Sequence, residues 1–448
     1  MATRLTFHGG AGTGTGSNFL LDTGGTKILV DCGFFQGAMD GEEAKNKEKF
    51  PYNPKEVEAL FITHAHLDHT GRIPLLVREG FRGTIYSTAP TKDLAELILR
   101  DGIDVHGREE GGRDGFYTHA DVDRALSLWR AIPYHEEVVL GGGVTAELKN
   151  TGHILGSAMV ECMRGGKTIV FTGDLGNTPD PILPDAEPLT RADYLVMEAV
   201  YGDRPHEDKE TRREKLEDII EEAVRAKGVL LIPAFSIERT QEMLFEIKTM
   251  VDERRIPHLP VFLDSPLAIR ATGVYQKYRG FLKKSVGEGD AIFSFPGLTQ
   301  TLTRDESSRI EKTPNPKIII AGSGMSNGGR IVFHEKKYLA DPTTILFLVG
   351  YQAPGATGRA LEEGAREVDI LGSRVRVRAQ VKKVSGYSSH ADMEGLLQFA
   401  VGVADTVKTV FVINSEPKTG AFFAQRLRDY VGIRAEAPQE GDSVELEF

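Results

Sequence analysis

An α/β protein of two domains is what this chain predicts, and three observations carry the prediction. Its 448 residues exceed what one hydrophobic core usually organises. Up to about residue 200, short apolar strand-like runs and Gly-rich turns are interleaved with helical stretches. From Tyr201 onward, long helical patterns alternate with buried apolar runs, the βαβ rhythm of an open parallel sheet.

In chain order, Leu5 to Phe7, Phe19 to Leu21 and Lys27 to Val30 read as strands, followed by the apolar run Ala59-Leu60-Phe61-Ile62. A helix is expected from Ile73-Pro74, since proline is tolerated in the first turn, and another over Thr91 to Leu99. Residues 101 to 119 are rich in Gly, Asp and His and read as a loop. Strands resume at Glu136 to Leu140, Thr145 to Leu148, Ala158 to Glu161 and Lys167 to Phe171. Beyond Tyr201 come a helix over Lys209 to Ala226, a strand Val229 to Ile232 and a helix from Arg239 to Met250. Further strands are expected at Val261 to Leu263, Lys317 to Ala321 and Ile345 to Val349. After Val381 come a histidine-bearing loop, a helix from Asp392, a strand Lys408 to Ile413 and a helix through Arg428.

Hydrophobic content of 40% and charged content of 27% are ordinary for a soluble globular protein. No apolar run approaches the roughly 18 to 20 residues that span a bilayer, and the start lacks a signal-peptide core, so a cytoplasmic protein without a membrane partner is expected. Cys32 and Cys162 are the two cysteines, each in an apolar segment, which excludes a disulfide framework. A net charge of −11 argues against coating nucleic acid by bulk electrostatics, so a polyanion would need a local basic surface. One candidate is Arg374-Val375-Arg376-Val377-Arg378, whose period-2 spacing puts three guanidiniums on one strand face, with Lys382 and Lys383 beyond; a solvated edge strand explains it equally well.

The chemistry concentrates in Thr63-His64-Ala65-His66-Leu67-Asp68-His69, where three imidazoles and a carboxylate follow a buried strand. That density of nitrogen and oxygen donors suits Zn²⁺, or another first-row ion such as Mn²⁺, better than a surface histidine cluster beside an apolar strand. His153 and Asp174 follow later strand-like runs at the same topological place. Singly, each is weak, because a turn aspartate is more often a backbone cap. Together they supply enough ligands for two ions with Asp174 between them, a device for hydrolysis.

With Asp31, this set resembles the metallo-β-lactamase fold, an αββα sandwich, and the resemblance extends over nearly the whole chain. Glu198-Ala199-Val200-Tyr201-Gly202-Asp203-Arg204 is similar to the motif that opens the β-CASP insertion of RNA-processing members. Pro233-Ala234-Phe235 with Arg239-Thr240-Gln241, Asp264-Ser265-Pro266, Ser323-Gly324-Met325 with Gly328-Gly329-Arg330, and Gly350-Tyr351-Gln352 with Gly358-Arg359 resemble that insertion. Gly386-Tyr387-Ser388-Ser389-His390-Ala391-Asp392 resembles the family's G-[FY]-S-x-H-A-D motif. The metal motif alone leaves lactonases, thiolesterases and lactamases open; the insertion motifs narrow the implied activity to ribonucleases.

The resemblance implies a metallo-β-lactamase domain over residues 1–200 and 380–448, interrupted by a β-CASP domain over 201–379 with a parallel sheet flanked by helices. It implies that His64, His66 and His153 hold one ion, Asp68 and His69 the other, and that Asp174 bridges them, with Asp31 orienting a ligand imidazole. Asp68 would assist the metal-activated hydroxide, and His390, oriented by Glu198, would protonate the leaving 3′-oxygen of single-stranded RNA in a cleft between the domains. Ser323, Gly324, Gly328, Gly329 and Arg330 fit a phosphate cradle: close backbone N–H groups, a helix beginning near Gly328 and an arginine fork. The implied enzyme is an endonuclease with accompanying 5′-to-3′ exonuclease activity in RNA processing or decay, and a homodimer is compatible with it.

Two departures stand out. The family's last motif resembles V-H-G-E-P, but here Ile413-Asn414-Ser415-Glu416-Pro417 puts an amide where the second ion would receive an imidazole. That makes Asn414 a doubtful ligand and keeps a second reading open: a catalytically weakened RNA-binding subunit of a processing complex. A small-molecule metallohydrolase is the third. The chain also begins and ends close to the two domains, so the N-terminal RNA-binding modules of archaeal relatives and the C-terminal domain of ribonuclease J are expected to be absent.

Overall fold

The computed structural model describes residues 2–36, 42–109, 116–206, 211–289, 291–353 and 355–448. The chain divides into two compact units: Met1–Asp180, Pro184–Pro205 and His390–Phe448 form the first, Pro181–Leu183 and His206–Ser389 the second. The division expected at residue 380 falls inside the second unit, because Gln380–Lys383 pairs with Ile345–Leu348 as a sheet edge.

The first unit is built on two seven-stranded sheets. One runs in the order Ser443–Leu446, Thr3–Gly9, Asn18–Asp22, Lys27–Val30, Ala59–Phe61, Thr84–Ser87 and Trp129–Ala131. The other runs Ala435–Glu436, Thr409–Ile413, Tyr194–Glu198, Lys167–Phe171, Ala158–Arg164, Thr145–Asn150 and Val138–Val139. Alternation explains how they stack. Leu5, Phe7, Phe19 and Phe61 from one sheet join Leu148, Val160, Phe171, Val196 and Phe411 from the other in one buried cluster. On the far side of the second sheet, Met159, Leu195, Met197 and Val412 pack against Leu396, Ala400 and Phe423 of the helices Met393–Val401 and Pro417–Arg426. Burial on both faces, worth about 25 cal/mol per Å² of apolar surface, is met by central strands such as Tyr194–Glu198 and Thr409–Ile413, which are near-continuous apolar runs.

In the second unit, six strands are all parallel, in the order Leu298–Gln300, Val261–Leu263, Lys317–Ala321, Val229–Pro233, Ile345–Leu348 and Gln380–Lys383. Helices including Arg212–Arg225, Arg239–Asp252 and Ile331–Tyr338 supply the crossovers. Fully buried strands such as Val229–Pro233 and Lys317–Ala321 match the runs read from the sequence.

Several local expectations change. The helix read as Thr91 to Leu99 spans Ala89–Glu109, so the first part of the expected loop is helical despite Gly102, and His119–Ser127 is a further helix closed by a Thr118/Asp121 capping box. Residues 110–115 of that expected loop lie outside the described residues, as do 209 and 210 of the helix expected from Lys209. Among the described residues, no helix is long and apolar enough to cross a membrane.

Candidate metal centre

Asp31, His64, His153, Asp174, Glu198 and Asn414 lie at or within three residues of a strand end, Asp68 and His69 sit in the short helix Leu67–Thr70, and His390 follows the turn Ser385–Tyr387. Asp31 follows Lys27–Val30 in a left-handed conformation (φ 60°) and is fully buried. Its Oδ1 accepts from the Thr63 backbone N–H at 2.8 Å and its Oδ2 from Thr63 Oγ1 at 2.8 Å, which ties it to the loop leaving Ala59–Phe61. Behind that loop, a Cβ on Gly33 would stand 1.5 Å from the Asp68 carbonyl oxygen, so only glycine lets the two backbones approach. The Ser17 and Cys32 N–H groups donate to the Asp68 and His69 carbonyls at 2.9 Å each, fixing the short helix Leu67–Thr70.

Side chains then converge. His64 Nε2 lies 3.1 Å from His66 Nδ1, and His153 Nε2 lies 3.3 Å from the same atom. Asp174 Oδ2 stands 3.5 Å from His64 Nε2 and 3.6 Å from His153 Nε2, and all four donor atoms lie within 4.8 Å of one another. Ligand atoms ~2.0–2.1 Å from one zinc ion would lie ~3.3–3.4 Å apart, so this set can surround a single ion. The tautomer fits as well. Thr63 Oγ1 gives its proton to Asp31, so at 3.0 Å it accepts from His64 Nδ1, leaving His64 Nε2 with a free lone pair.

Asp174 Oδ1 faces a second group: His69 Nε2 at 3.5 Å, with Asp68 Oδ2 3.7 Å from the same nitrogen. His69 Nδ1 lies 2.7 Å from Asp31 Oδ2, so Asp31 orients that imidazole. Asn414 reaches the same carboxylate, donating from Nδ2 to Asp174 Oδ1 at 3.2 Å. His390 Nδ1 stands 3.3 Å from Glu198 Oε1 and 3.8 Å from Asp174 Oδ2. Glu198 is held by backbone donors, Leu175 N to Oε1 at 2.7 Å and Val200 N to Oε2 at 3.1 Å. His390 pairs with Gly176 in an isolated bridge, which keeps it beside the Asp174 loop.

The electrostatics follow from packing acids and imidazoles out of water. Burial, reinforced by His69, holds the His64 ring well below its ordinary pKa and therefore neutral. For His69, burial works against charge but Asp174, Asp31 and Asp68 override it and raise its pKa. Burial likewise opposes ionisation of Asp174, yet His69 and His64 hold it well below the usual carboxylate range. Asp68 and Glu198 are raised chiefly by burial, against the pull of His69 and His390 respectively. His390 overcomes its burial through Glu198, then Asp174 and Asp68, and is pushed up to about 9.

The remaining candidates lie in the second unit. Ser323, Gly324, Gly328 and Gly329 form the loop after Lys317–Ala321, but the following helix starts at Ile331. Arg330, expected as a phosphate fork, is turned inward: NH1 donates to Asp264 Oδ1 at 2.6 Å and to Thr301 O at 3.0 Å, and NH2 to Leu302 O at 2.7 Å. Asp264 also accepts from Thr301 Oγ1 and Ser307 Oγ at 2.6 Å each and contacts His334 Nε2 at 2.7 Å, so this carboxylate is a packing hub. Arg374, Arg376 and Arg378 are exposed around buried Val375, with Arg374 paired to Glu367 at 2.7 Å; Lys382 and Lys383 pair with Glu222 and Glu362. The sequence reading missed Ser17, which donates to Asn414 Oδ1 at 2.9 Å, and the role of Gly33. The Gly-rich turn before Ser17 is the local signal for Ser17, and Gly33 has none.

Comparison with known proteins agrees with this geometry. Residues 11–234 match the metallo-beta-lactamase superfamily, half of the chain. The chain belongs to that superfamily. Residues 240–361 match the Beta-Casp domain, and 374–438 match the Zn-dependent metallo-hydrolase RNA specificity domain. Ribonuclease TTHA0252 of Thermus thermophilus is 40% identical over 89% of this chain and 91% of its own length. The transcription termination factor FttA of Pyrococcus abyssi is 31% identical over 99% of this chain and 71% of its own. An RNase J-like protein of Methanocaldococcus jannaschii is 31% identical over 98% of each chain. A divalent-metal hydrolase on an α/β scaffold with a Beta-Casp domain follows from these matches and from the His/Asp cluster.

Proposed function

We propose that this chain is a metal-dependent ribonuclease that hydrolyses phosphodiester bonds of single-stranded RNA. The observation that carries the reading is the shared carboxylate: Asp174 stands beside the His64/His66/His153 donor set and beside the His390–Glu198 pair. An ion-holding group and a proton donor therefore meet at one carboxylate. Relatives named as ribonucleases and the match to an RNA specificity domain supply the substrate class, and they do not favour an inert subunit or a small-molecule hydrolase.

In this reading His64, His66, His153 and Asp174 hold an ion, and the nitrogen-rich donor set suits zinc. When bound, such an ion supplies Lewis acidity toward a phosphoryl oxygen and lowers the pKa of water. The protein does the rest. Asp68 takes a proton from the attacking water, whose oxygen bonds to phosphorus as the bond to the 3′-oxygen breaks. His390, protonated because Glu198 fixes its Nδ1 side, gives its proton to that 3′-oxygen. Products carry a 5′-phosphate and a 3′-hydroxyl. Glu198, fully buried and gripped by two backbone N–H groups, positions His390, and Asp31 orients His69. Endonucleolytic cutting is the proposed primary mode, with 5′-to-3′ trimming beside it, and buried thiols at Cys32 and Cys162 fit a cytoplasmic setting.

The test is cleavage of end-labelled single-stranded RNA by zinc- or manganese-loaded wild type, Asp68→Asn and His390→Ala. Wild-type cleavage lost in both variants is expected. A wild type inert with either ion would reject the reading.

A further inference from the structure

We propose that the two ion positions around Asp174 are unequal in this chain, one tight and one weak, because Asn414 turns an amide N–H toward the oxygen that the second position needs. The inference rests on the metallohydrolase reading above and deepens it.

The two oxygens of Asp174 face different partners. Oδ2 stands beside His64 Nε2 and His153 Nε2, whereas Oδ1 stands beside His69 Nε2, at 3.5 Å. Asn414 Nδ2 donates to that same Oδ1 at 3.2 Å. An ionised carboxylate only accepts, so the nitrogen end of the amide must face it. The oxygen end is held in turn, accepting from Ser17 Oγ at 2.9 Å. The second position is thus offered a hydrogen-bond donor where a ligand lone pair is needed.

Turning the amide over is resisted by its surroundings. Asn414 is 1% exposed, sits in the left-handed region at φ 47° just after Thr409–Ile413, and its backbone N–H donates to Gly10 O at 2.6 Å. Asparagine is among the few residues that adopt this conformation readily. A Cβ on Gly10 would lie 2.5 Å from Asn414 Oδ1, so the amide oxygen is boxed between Gly10 and Ser17. A flip would give up the hydrogen bond to Asp174 and force Ser17 Oγ to change from donor to acceptor, offering in return a neutral amide oxygen, a ligand suited to harder ions than zinc. That leaves Asp68, His69 and the shared Asp174 for the second position, against three imidazoles plus Asp174 for the first.

The test measures bound metal and needs no activity. Metal-free full-length chain is loaded with excess Zn²⁺, dialysed against a weak chelator and assayed for zinc per chain, and a competition titration gives the affinities. One zinc retained per chain is expected, with the second bound at least ~100-fold more weakly, the upper end of what loss of a supporting group costs a metal site. His153→Ala should lose the retained zinc, whereas His69→Ala should keep it. Asn414→His should move retention toward two. Two equally tight zinc ions in wild type, or loss of the retained zinc in His69→Ala, would overturn the inference while leaving the hydrolase reading standing. Retention of none in wild type would overturn both. Should Asn414→His fail to fold, the wild-type count and the His69/His153 contrast still decide.

Discussion

The strand-end loops of the two units use the same kinds of residue to opposite ends. In the first unit, His64, His66, His153 and Asp174 bring their ligand-type nitrogen and oxygen atoms within 3.1–3.6 Å of one another, a grouping that one cation among them would stabilise. In the second unit, Asp264 also meets a histidine and a basic side chain, but every contact is closed: Arg330, His334, Thr301 and Ser307 surround the one carboxylate. Several ligand-type donors gathered around one point mark chemistry, and hydrogen-bond and charge partners gathered on a single carboxylate mark structure. A motif read from sequence does not distinguish the two.

The contrast breaks most visibly at the metal ligands. Asp174→Ala removes the carboxylate common to both ion positions and to His390, so the retained ion should be lost and RNA cleavage should fall to background, with the fold kept by circular dichroism. Next in size, His390→Ala should lower kcat by ~10²–10⁴-fold, the usual worth of a general acid, with zinc content unchanged. The sign of its pH dependence follows from a pKa raised to about 9: the imidazole holds its proton below that value and loses it above, so wild-type cleavage should decline as pH rises through 9. His390→Ala should lack that limb.

In the second unit the effects should fall on stability. Asp264→Asn leaves Arg330 without its counter-charge and should destabilise the protein by ~3 kcal/mol, read by urea unfolding, with zinc retention intact. Although burial opposes it, His334, Ser307, Thr301 and Arg330 hold the Asp264 carboxyl well below the usual range. A depressed carboxylate contributes stability that is full above the unfolded pKa of ~3.9 and drains as pH falls below it, so wild type should lose stability through acid pH more steeply than the Asn variant. The smallest change is Arg330→Lys, which should cost ~1 kcal/mol through lost hydrogen bonds. It should leave KM for RNA and its salt dependence unmoved; a raised KM would restore the phosphate-fork role.

Much of this was legible in the sequence because local chemistry carried it. Three imidazoles and an acid within Thr63–His69 have no packing explanation, and runs such as Val229–Leu231 and Lys317–Ala321 announce buried parallel strands. What stayed hidden depends on contacts distant in the chain. Ser17 and Asn414 meet only once Asn18–Asp22 and Thr409–Ile413 have taken their places in separate sheets, and Ser443–Leu446 becomes a strand only by pairing with Thr3–Gly9. Gly33 is required by the approach of the Asp68 backbone, which no pattern around residue 33 announces. The helix Ala89–Glu109 ran past its reading because Asp101, Gly102 and Asp104 weaken intrinsic propensity, which tertiary context overrides. Arg330 misled because an arginine beside glycines looks the same whether it faces an anion or an inward carboxylate.

The central claim is that His64, His66, His153 and Asp174 together grip one divalent ion. X-ray absorption at the zinc edge of wild-type protein carrying its one retained ion tests it most directly. The account predicts a shell that includes three imidazole nitrogens and one carboxylate oxygen at ~2.0–2.1 Å and that is lost in His153→Ala. A shell of oxygens alone, or an imidazole shell unchanged by that substitution, would contradict it.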